Sequence, residues 1–256
     1  MVFDASDITI PKLSRSIDGS VRQYNSGQYG AHSAKPCRHD GGPWPRHWHR
    51  CQTNVITATS VAAMVGDMTS CRIHITGASG SGTTTLGRAV ASALAVPHHD
   101  TDDYIWVPTE PPYAELRPAA ERLRLMMAMF LPRGRWVLSG SLQGWGDPLI
   151  AHFDLVVFIT IAKELRLQRL RVREVTRYGA EAVAPGGARH RETEEFVAWA
   201  AAYDEADIGT SRTLAKHEAW LSDLPCPVLR LDGAKPLEEL TAQVLSSTSR
   251  APRVDG

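Results

Sequence analysis

A glycine-rich stretch, Gly77-Ala-Ser-Gly-Ser-Gly-Thr-Thr-Thr85, constrains the fold more than any other part of this chain. It follows the short run Arg72-Ile-His-Ile-Thr76, which is typical of a β-strand, and it precedes residues 84–95, which have the pattern of a helix. Glycine lets successive backbone N–H groups turn toward one anion, and a helix N-terminus adds partial positive charge there. The sequence therefore predicts a phosphate-binding loop at the end of a strand, with a plain glycine turn as the alternative.

The stretch follows the phosphate-loop pattern G-x-x-x-x-G-K-[ST] with one departure. Thr84 occupies the Ser/Thr position, whose hydroxyl binds magnesium, but Thr83 replaces the lysine that reaches the β- and γ-phosphates. The residues predicted to bind a nucleotide are this loop and a pair after the last predicted strand: Gly77, Ala78, Ser79, Gly80, Ser81, Gly82, Thr83, Thr84, Thr85, Asp232 and Gly233. The missing lysine bears on catalysis more than on phosphate binding.

Strand-like and helical segments alternate from Arg72 onward, which favours a parallel sheet with helices on both faces. Leu155-Val-Val-Phe-Ile-Thr160 is an almost wholly apolar run, typical of a central parallel strand. The sequence thus predicts an α/β fold for residues 68–249, followed by a tail at 250–256.

The first 67 residues differ from the rest of the chain. Residues 14–52 are rich in Ser, Gly, Pro, His and Arg, so we predict that 1–67 is a disordered or loosely packed extension, with Met68 as a possible natural start. The segment Cys37 to Cys51 contains zinc-ligand residue types, but their spacing fits no standard zinc site, and a solvated tail is favoured.

Composition narrows the setting and the partners. Lys+Arg and Asp+Glu both number 28, which makes a nucleic-acid partner unlikely, and no apolar stretch is long enough to span a membrane. The N-terminus lacks the apolar core of a secretory signal, so a reducing cytoplasmic location is expected.

Two carboxylates, Asp100 and Asp102, come at the end of the second predicted strand. In open parallel sheets ligands bind at the carboxyl edge, and residues two apart in an extended segment point the same way. We expect one carboxylate to hold magnesium and the other to accept a proton from an attacking hydroxyl. The alternative is that Asp102 or Asp103 caps the turn that follows.

An arginine-rich helix is predicted between Ala162 and Tyr178. Its arginines at 166, 169, 173 and 177 are spaced to form one basic stripe. The helix is followed by a glycine-rich segment that ends at Arg191. This combination predicts a lid at about residues 178–192 whose guanidinium groups close over polyphosphate and supply charge that Thr83 lacks. A solvated face with no binding role is the alternative.

Taken together, residues 71–246 resemble the adenylate-kinase-related P-loop small kinases, which include nucleoside monophosphate kinases, shikimate kinases and topology-modulation proteins. The segments that carry the resemblance are GASGSGTTT, HHDTDDYIW, WVLSGS, DLVVFIT, RLQRLRVRE and VLRLDG. It implies a three-layer P-loop NTPase sandwich of about five parallel strands, a moving lid, ATP as donor and Mg²⁺, with Arg173 and Arg177 as candidate lid arginines. Ser139 departs from the family, because many relatives carry an aspartate there.

The favoured function is a kinase that moves the γ-phosphoryl group of ATP to a small acceptor, such as a nucleoside monophosphate or a similar metabolite. Thr84 and Asp100 are predicted to bind Mg²⁺, Asp102 to orient the acceptor, and Arg169 and Arg173 to offset transition-state charge. The alternative is a nucleotide-binding regulatory protein that lacks catalysis. A nucleotide and a small acceptor are the expected partners of a monomer or homodimer.

Overall fold

The computed structural model describes residues 70–110, 112–205 and 212–248. Within these ranges, five parallel strands form one sheet in the order β2-β3-β1-β4-β5. The strands are β1 (Cys71–Gly77), β2 (His98–Asp100), β3 (Arg135–Ser139), β4 (Leu155–Thr160) and β5 (Val228–Asp232). The α-helices are α1 (Thr83–Leu94), α2 (Thr101–Ile105), α3 (Ala119–Met129), α4 (Lys163–Tyr178), α5 (Ala180–Val183), α6 (His190–Ala201), α7 (Leu214–Ser222) and α8 (Leu237–Thr248). Two 3₁₀ segments complete these elements, Asp147–His152 and Ala202–Asp204.

Each face of the sheet has its own apolar core, as expected for a sheet covered by helices on both sides. On one face, Ile73 and Ile75 of β1 pack with residues of α1 and α8, including Leu86 and Val244. On the other face, the core contains apolar side chains of β3 and β4, α2 and α3, and Leu221 of α7. The three-layer α/β sandwich predicted from the sequence is confirmed, with β1 in the middle of the sheet.

The central position of β1 decides where a ligand can bind. Its neighbours β3 and β4 run parallel to it, so the loops that follow these strands emerge at the same edge. In such sheets, the crevice beyond the carboxyl ends of the strands is where ligands bind. The glycine-rich loop after Gly77 therefore lies at the middle of the binding edge.

The glycine-rich segment after Tyr178, which was predicted to be a loop, contains more helix than expected. The short helix α5 follows Gly179, and α6 begins at His190 and ends at Ala201. His190 donates from Nδ1 to the carbonyl of Val183, 3.0 Å away, and thereby ties the start of α6 to the end of α5. Such contacts between segments are not visible in a local propensity pattern.

Other predictions fall outside the described residues. These are the loosely packed extension at 1–67, the possible start at Met68, the cysteine- and histidine-containing segment at 37–51, and the tail at 250–256. Among the helices of the described part of the chain, none is long and apolar enough to cross a membrane.

Candidate nucleotide-binding site

The loop between β1 and α1 is folded as a tight nest of backbone N–H groups. Gly80 and Gly82 have φ angles of 86° and 100°, which side-chain-bearing residues rarely adopt, and Ser81 N donates to Ala78 O over 3.0 Å. A Cβ added at Gly77 would lie 2.5 Å from the carbonyl oxygen of Ile159. The first turn of α1 leaves further N–H groups without intrahelical partners at the same place. This arrangement is suited to an anion such as a phosphate.

The hydroxyl group of Ser81 supports the same interpretation. Ser81 is only 2% exposed, and its Oγ has no hydrogen-bond partner among the described residues. A buried hydroxyl without a partner carries a free-energy cost unless a ligand or water satisfies it. The orphaned hydroxyl is therefore an independent sign that the nest accommodates a polar ligand.

Thr84 and Asp100 meet at the open side of the nest. The Thr84 hydroxyl donates to Oδ2 of Asp100 over 2.8 Å. The other carboxylate oxygen of Asp100 accepts the backbone N–H of Asp102 at 3.1 Å and so caps α2. Ser139 Oγ lies 3.5 Å from Oδ2 of Asp100, the oxygen that accepts from Thr84, and 2.9 Å from Nε2 of His98. The structure thus brings together two predicted magnesium ligands, one from the first turn of α1 and one from the end of β2.

Asp102 is placed differently from the sequence expectation. It lies in the first turn of α2 rather than in the extended segment, so the argument that residues two apart point the same way does not apply to it. Asp102 is an exposed residue. Desolvation by neighbouring protein atoms and the charge of Asp100 raise the pKa of the Asp102 carboxyl, while Arg212 and Arg173 oppose the shift. The capping alternative is also wrong, since the cap is Asp100.

The arginine stripe of α4 is not one uniform solvated face. Arg166 is only 1% exposed and lies beneath the loop, where it donates to the carbonyl of Ala200 over 2.7 Å and forms an ion pair with Asp204. Its Nη1 also lies 3.5 Å from the carbonyl oxygen of Ser79. A Cβ added at Gly80 would lie 2.7 Å from the Arg166 carbonyl oxygen. Arg166 therefore supports the loop from below and is not available to close over a ligand.

Arg169 and the turn after β5 meet on the other side of the loop. Arg169 is exposed, and its Nη2 donates to the carbonyl of Gly233 over 3.1 Å. A Cβ added at Gly82 would lie 4.0 Å from its Nη1, and one added at Gly233 would lie 3.0 Å from the Ser81 carbonyl oxygen. The Asp232 carboxylate accepts the N–H of Ala234 and shapes the turn. These predicted residues thus cluster beside the second half of the loop.

The last two arginines of the predicted stripe, Arg173 and Arg177, lie over aromatic rings of other elements. Arg173 donates to Glu174 at 3.2 Å and lies 5.3 Å from the ring centre of Phe196 in α6. Arg177 lies 5.0 Å from the ring centre of Tyr113, which belongs to the loop between α2 and α3. Arg173 is also close enough to Asp102 to affect its pKa. The stripe therefore divides into one buried support, one exposed arginine beside the second half of the loop and two arginines that lie over aromatic rings.

A small open cleft lies beside the first half of the loop, and part of its wall was not among the predicted site residues. Its lining residues are Gly77, Ala78, Ser79, Trp199, Ala200, Tyr203 and Arg212. The Arg212 guanidinium lies 5.7 Å from the ring centre of Trp199. Burial lowers the pKa of Arg212, and the nearby Asp102 and Tyr203 partly offset this effect. The only sequence signal for Arg212 was its position in a helical region larger than a minimal kinase requires.

A buried histidine holds the far wall of this cleft. Nδ1 of His217 lies 2.7 Å from the hydroxyl of Tyr203, and its Nε2 lies 3.4 Å from the hydroxyl of Thr76 in β1. Burial, with a smaller effect of Arg212, lowers the pKa of His217 to about 3, so the ring is neutral at ordinary pH. A neutral imidazole can donate at one nitrogen and accept at the other. It thereby ties the Tyr203 wall of the cleft to the central strand.

The sheet order and the nest after β1 define the class of the protein. It is a P-loop α/β protein, with the fold of the small P-loop kinases that the sequence resembles. The uncharacterized protein YqaC of Bacillus subtilis (strain 168) is 42% identical over 177 residues, which cover 69% of this chain and 97% of YqaC. The chain belongs to the same family as YqaC. No protein-family model matches it.

Several solved structures are also similar. Shikimate kinase from Acinetobacter baumannii in complex with shikimate has a TM-score of 0.43 at 16% identity, covering 72% of this chain and 96% of that one. A gluconokinase from Sinorhizobium meliloti 1021 has a TM-score of 0.40 at 17% identity, covering 72% and 94% of the two chains. Because these scores are below 0.5, the function proposed below rests on the geometry of the site.

Proposed function

We propose that this protein is a phosphotransferase that moves the γ-phosphoryl group of ATP to a small acceptor, such as a nucleoside monophosphate or a similar metabolite. The observation that carries the proposal is the 2.8 Å hydrogen bond between Thr84 and Asp100 at the open side of the phosphate nest. It sets a hydroxyl and a carboxylate oxygen beside backbone donors, as a magnesium-bound polyphosphate requires.

The residues at the site fit both the polyphosphate and Mg²⁺. The close approach of Ile159 O to Gly77 and the left-handed glycines leave a side-chain-free cradle for phosphate oxygens. No cluster of three or more His, Cys, Asp and Glu side chains in the described ranges forms a metal site. This agrees with magnesium, which keeps several waters and takes one or two protein oxygens plus substrate phosphates. Bound there, Mg²⁺ would neutralise charge on the β- and γ-phosphates.

Asp102 is proposed to orient the acceptor and take its proton. Asp102 is exposed and within electrostatic range of Arg212, which lines the cleft, so an acceptor hydroxyl can reach its carboxylate. The raised pKa makes it a stronger base than an ordinary aspartate. General-base catalysis by a positioned carboxylate contributes about 10²- to 10⁴-fold to a rate.

Arg169 and Arg173 are proposed to offset charge in the transition state. Arg169 lies beside Gly82 and Gly233, where the nucleotide would leave the nest, and Arg173 lies within electrostatic range of Asp102. Guanidinium groups form strong charge-assisted hydrogen bonds with phosphate oxygens. Gly233 and Asp232 would contact the nucleotide base through the turn after β5.

Thr83 favours a second candidate function, which is nucleotide binding without transfer. A threonine there leaves the helix N-terminus without the ammonium group that normally contacts the β- and γ-phosphates. In this case the protein would act through its nucleotide-bound state. The two functions share the nest and differ in whether an acceptor consumes ATP.

Cellular location follows from the proposed substrate. ATP is a cytoplasmic donor, and the described cysteines, Cys71 and Cys226, are free thiols that suit a reducing compartment. We propose that the protein acts in the cytoplasm, as a monomer or a homodimer.

The test is transfer of radiolabelled γ-phosphate from ATP across a panel of nucleoside monophosphates and small hydroxyl metabolites. We expect label to appear on at least one acceptor, and Asp102→Asn to lower kcat about 100-fold or more without changing ATP affinity. Asp103→Asn is the matched control, since this neighbouring carboxylate lies outside the proposed chemistry. ATP binding with no labelled product from any acceptor would favour the regulatory alternative.

A further inference from the structure

The phosphate loop lacks the cation that this motif ordinarily supplies. The whole chain has five lysines, at positions 12, 35, 163, 216 and 235, and none lies in the loop. Lys163 lies 3.6 Å from Glu205 and Lys235 lies 2.6 Å from Glu239, both away from the loop. The cations that the structure places beside the loop are arginines of other elements.

The arginines around the loop occupy different positions along it. Arg166 is buried beneath the loop and is occupied by Asp204. Arg169 lies beside Gly82, at the second half, where it bonds to the turn after β5. Arg212 alone among these three lines the cleft with Gly77, Ala78 and Ser79, which form the first half.

With a nucleotide bound as proposed, the two halves of the loop would face different ends of it. The turn at Gly233 and Arg169 lie on the second-half side, where the base would lie under the proposed function. Asp102, the proposed acceptor base, is within electrostatic range of Arg212. The phosphate that is transferred must lie between the loop and the acceptor base, and this is the side of the loop that Arg212 lines.

We infer that Arg212 replaces the missing P-loop lysine and binds the terminal phosphate of the nucleotide. The inference rests on the proposed function for the identity of the ligand, a nucleoside triphosphate. It adds the residue by which the protein distinguishes a nucleoside triphosphate from a nucleoside diphosphate. A guanidinium presents several donors in a fixed plane and can bind two phosphate oxygens at once. Arg212 thereby supplies from α7's N-terminal side what Thr83 does not supply from α1.

The surroundings of Arg212 are organised to hold it there. Trp199 lies under its guanidinium at 5.7 Å, and Tyr203, fixed by its 2.7 Å contact with His217, forms the adjoining wall. A charge held among protein atoms interacts more strongly with an anion than a charge in water does. The lowered pKa of Arg212 reflects this loss of solvent, which a phosphate would compensate.

The inference is tested by the ratio of ATP affinity to ADP affinity, measured calorimetrically with magnesium on the full chain. We expect the parent to prefer ATP, and Arg212→Met to weaken ATP binding about 10- to 100-fold while ADP affinity changes less than about threefold. Thr83→Lys introduced into Arg212→Met should restore about tenfold or more of the lost ATP affinity. Arg171→Met is the matched control, because Arg171 is an exposed arginine of α4 paired with Glu194.

An unchanged affinity ratio in Arg212→Met would overturn the inference, even if acceptor-dependent transfer is found. Equal weakening of ATP and ADP would also overturn it, since Arg212 would then act on the fold of the loop. A selective loss of ATP affinity supports it, even if no acceptor is phosphorylated, so its failure and that of the proposed transfer are separable. Arg212→Lys keeps the charge and should retain part of the ratio, which covers the case in which Arg212→Met does not fold.

Discussion

Arg166→Met tests whether the phosphate loop depends on a buried guanidinium beneath it. Methionine keeps much of the aliphatic volume but removes the charged head, which contacts Asp204 and the carbonyl groups of Ala200 and Ser79. The Asp204 carboxylate and the Ala200 carbonyl would lose their partner in the protein interior. The variant therefore isolates the polar contacts of Arg166 from its packing.

The expected cost follows from the exposure of the two partners. Removing one member of a buried ion pair costs about 3–5 kcal/mol, because the other charge is left without compensation. The Arg166 side chain is 1% exposed but that of Asp204 is 32% exposed, so water reaches the carboxylate and we expect the lower end, about 3 kcal/mol. For a domain of this size, that corresponds to a fall in Tm of about 6–12 °C.

The assay is urea and thermal unfolding of the full-length parent and variants. Arg171→Met is the control on the same helix, since Arg171 and Glu194 are 52% and 45% exposed and such a pair contributes at most about 1 kcal/mol. Arg166→Met should also weaken ATP and ADP binding together, because the loop loses its support. Equal losses of stability in the two variants would refute the reasoning that burial makes Arg166 different.

Three further predictions concern backbone geometry and titration. Gly80→Ala should abolish nucleotide binding, because the new Cβ would lie 2.7 Å from the Arg166 carbonyl oxygen and the residue would have a φ of 86°. Calorimetry measures the nucleotide affinity of this variant, and an affinity equal to that of the parent would contradict the prediction. Burial lowers the pKa of His217 to about 3, so the stability of the protein should fall as the pH drops from about 6.5 toward 4. In His217→Gln the urea midpoint should change less over this range. A midpoint curve parallel to that of the parent would refute His217 as the cause. The raised pKa of Asp102 has the opposite effect on the pH dependence of stability, because the folded state holds the Asp102 proton more tightly than the unfolded state does. Asp102→Asn should therefore gain stability relative to the parent as the pH rises above about 4, and a relative loss would exclude this sign.

Local patterns in the sequence were sufficient for the fold and for the position of the loop. The spacing of Gly77, Gly80 and Gly82 between a strand and a helix depends only on neighbouring residues, and the structure has the same strand, nest and helix. The apolar run of β4 and the alternation of elements likewise predicted a parallel three-layer sheet, since burial of both faces leaves a mark on composition. The missing lysine at Thr83 was visible in the same way.

Tertiary structure decided which side chains meet. Arg166 and Arg169 share one helical stripe in the sequence, yet the packing of α6 against α4 buries the first beneath the loop and leaves the second exposed beside Gly233. Arg212 carried no motif at all, and only the return of the chain past Trp199 places it over the first half of the loop. Periodicity records which face of an element is apolar, but it does not record which element covers that face, and the environment of each charge depends on that covering element.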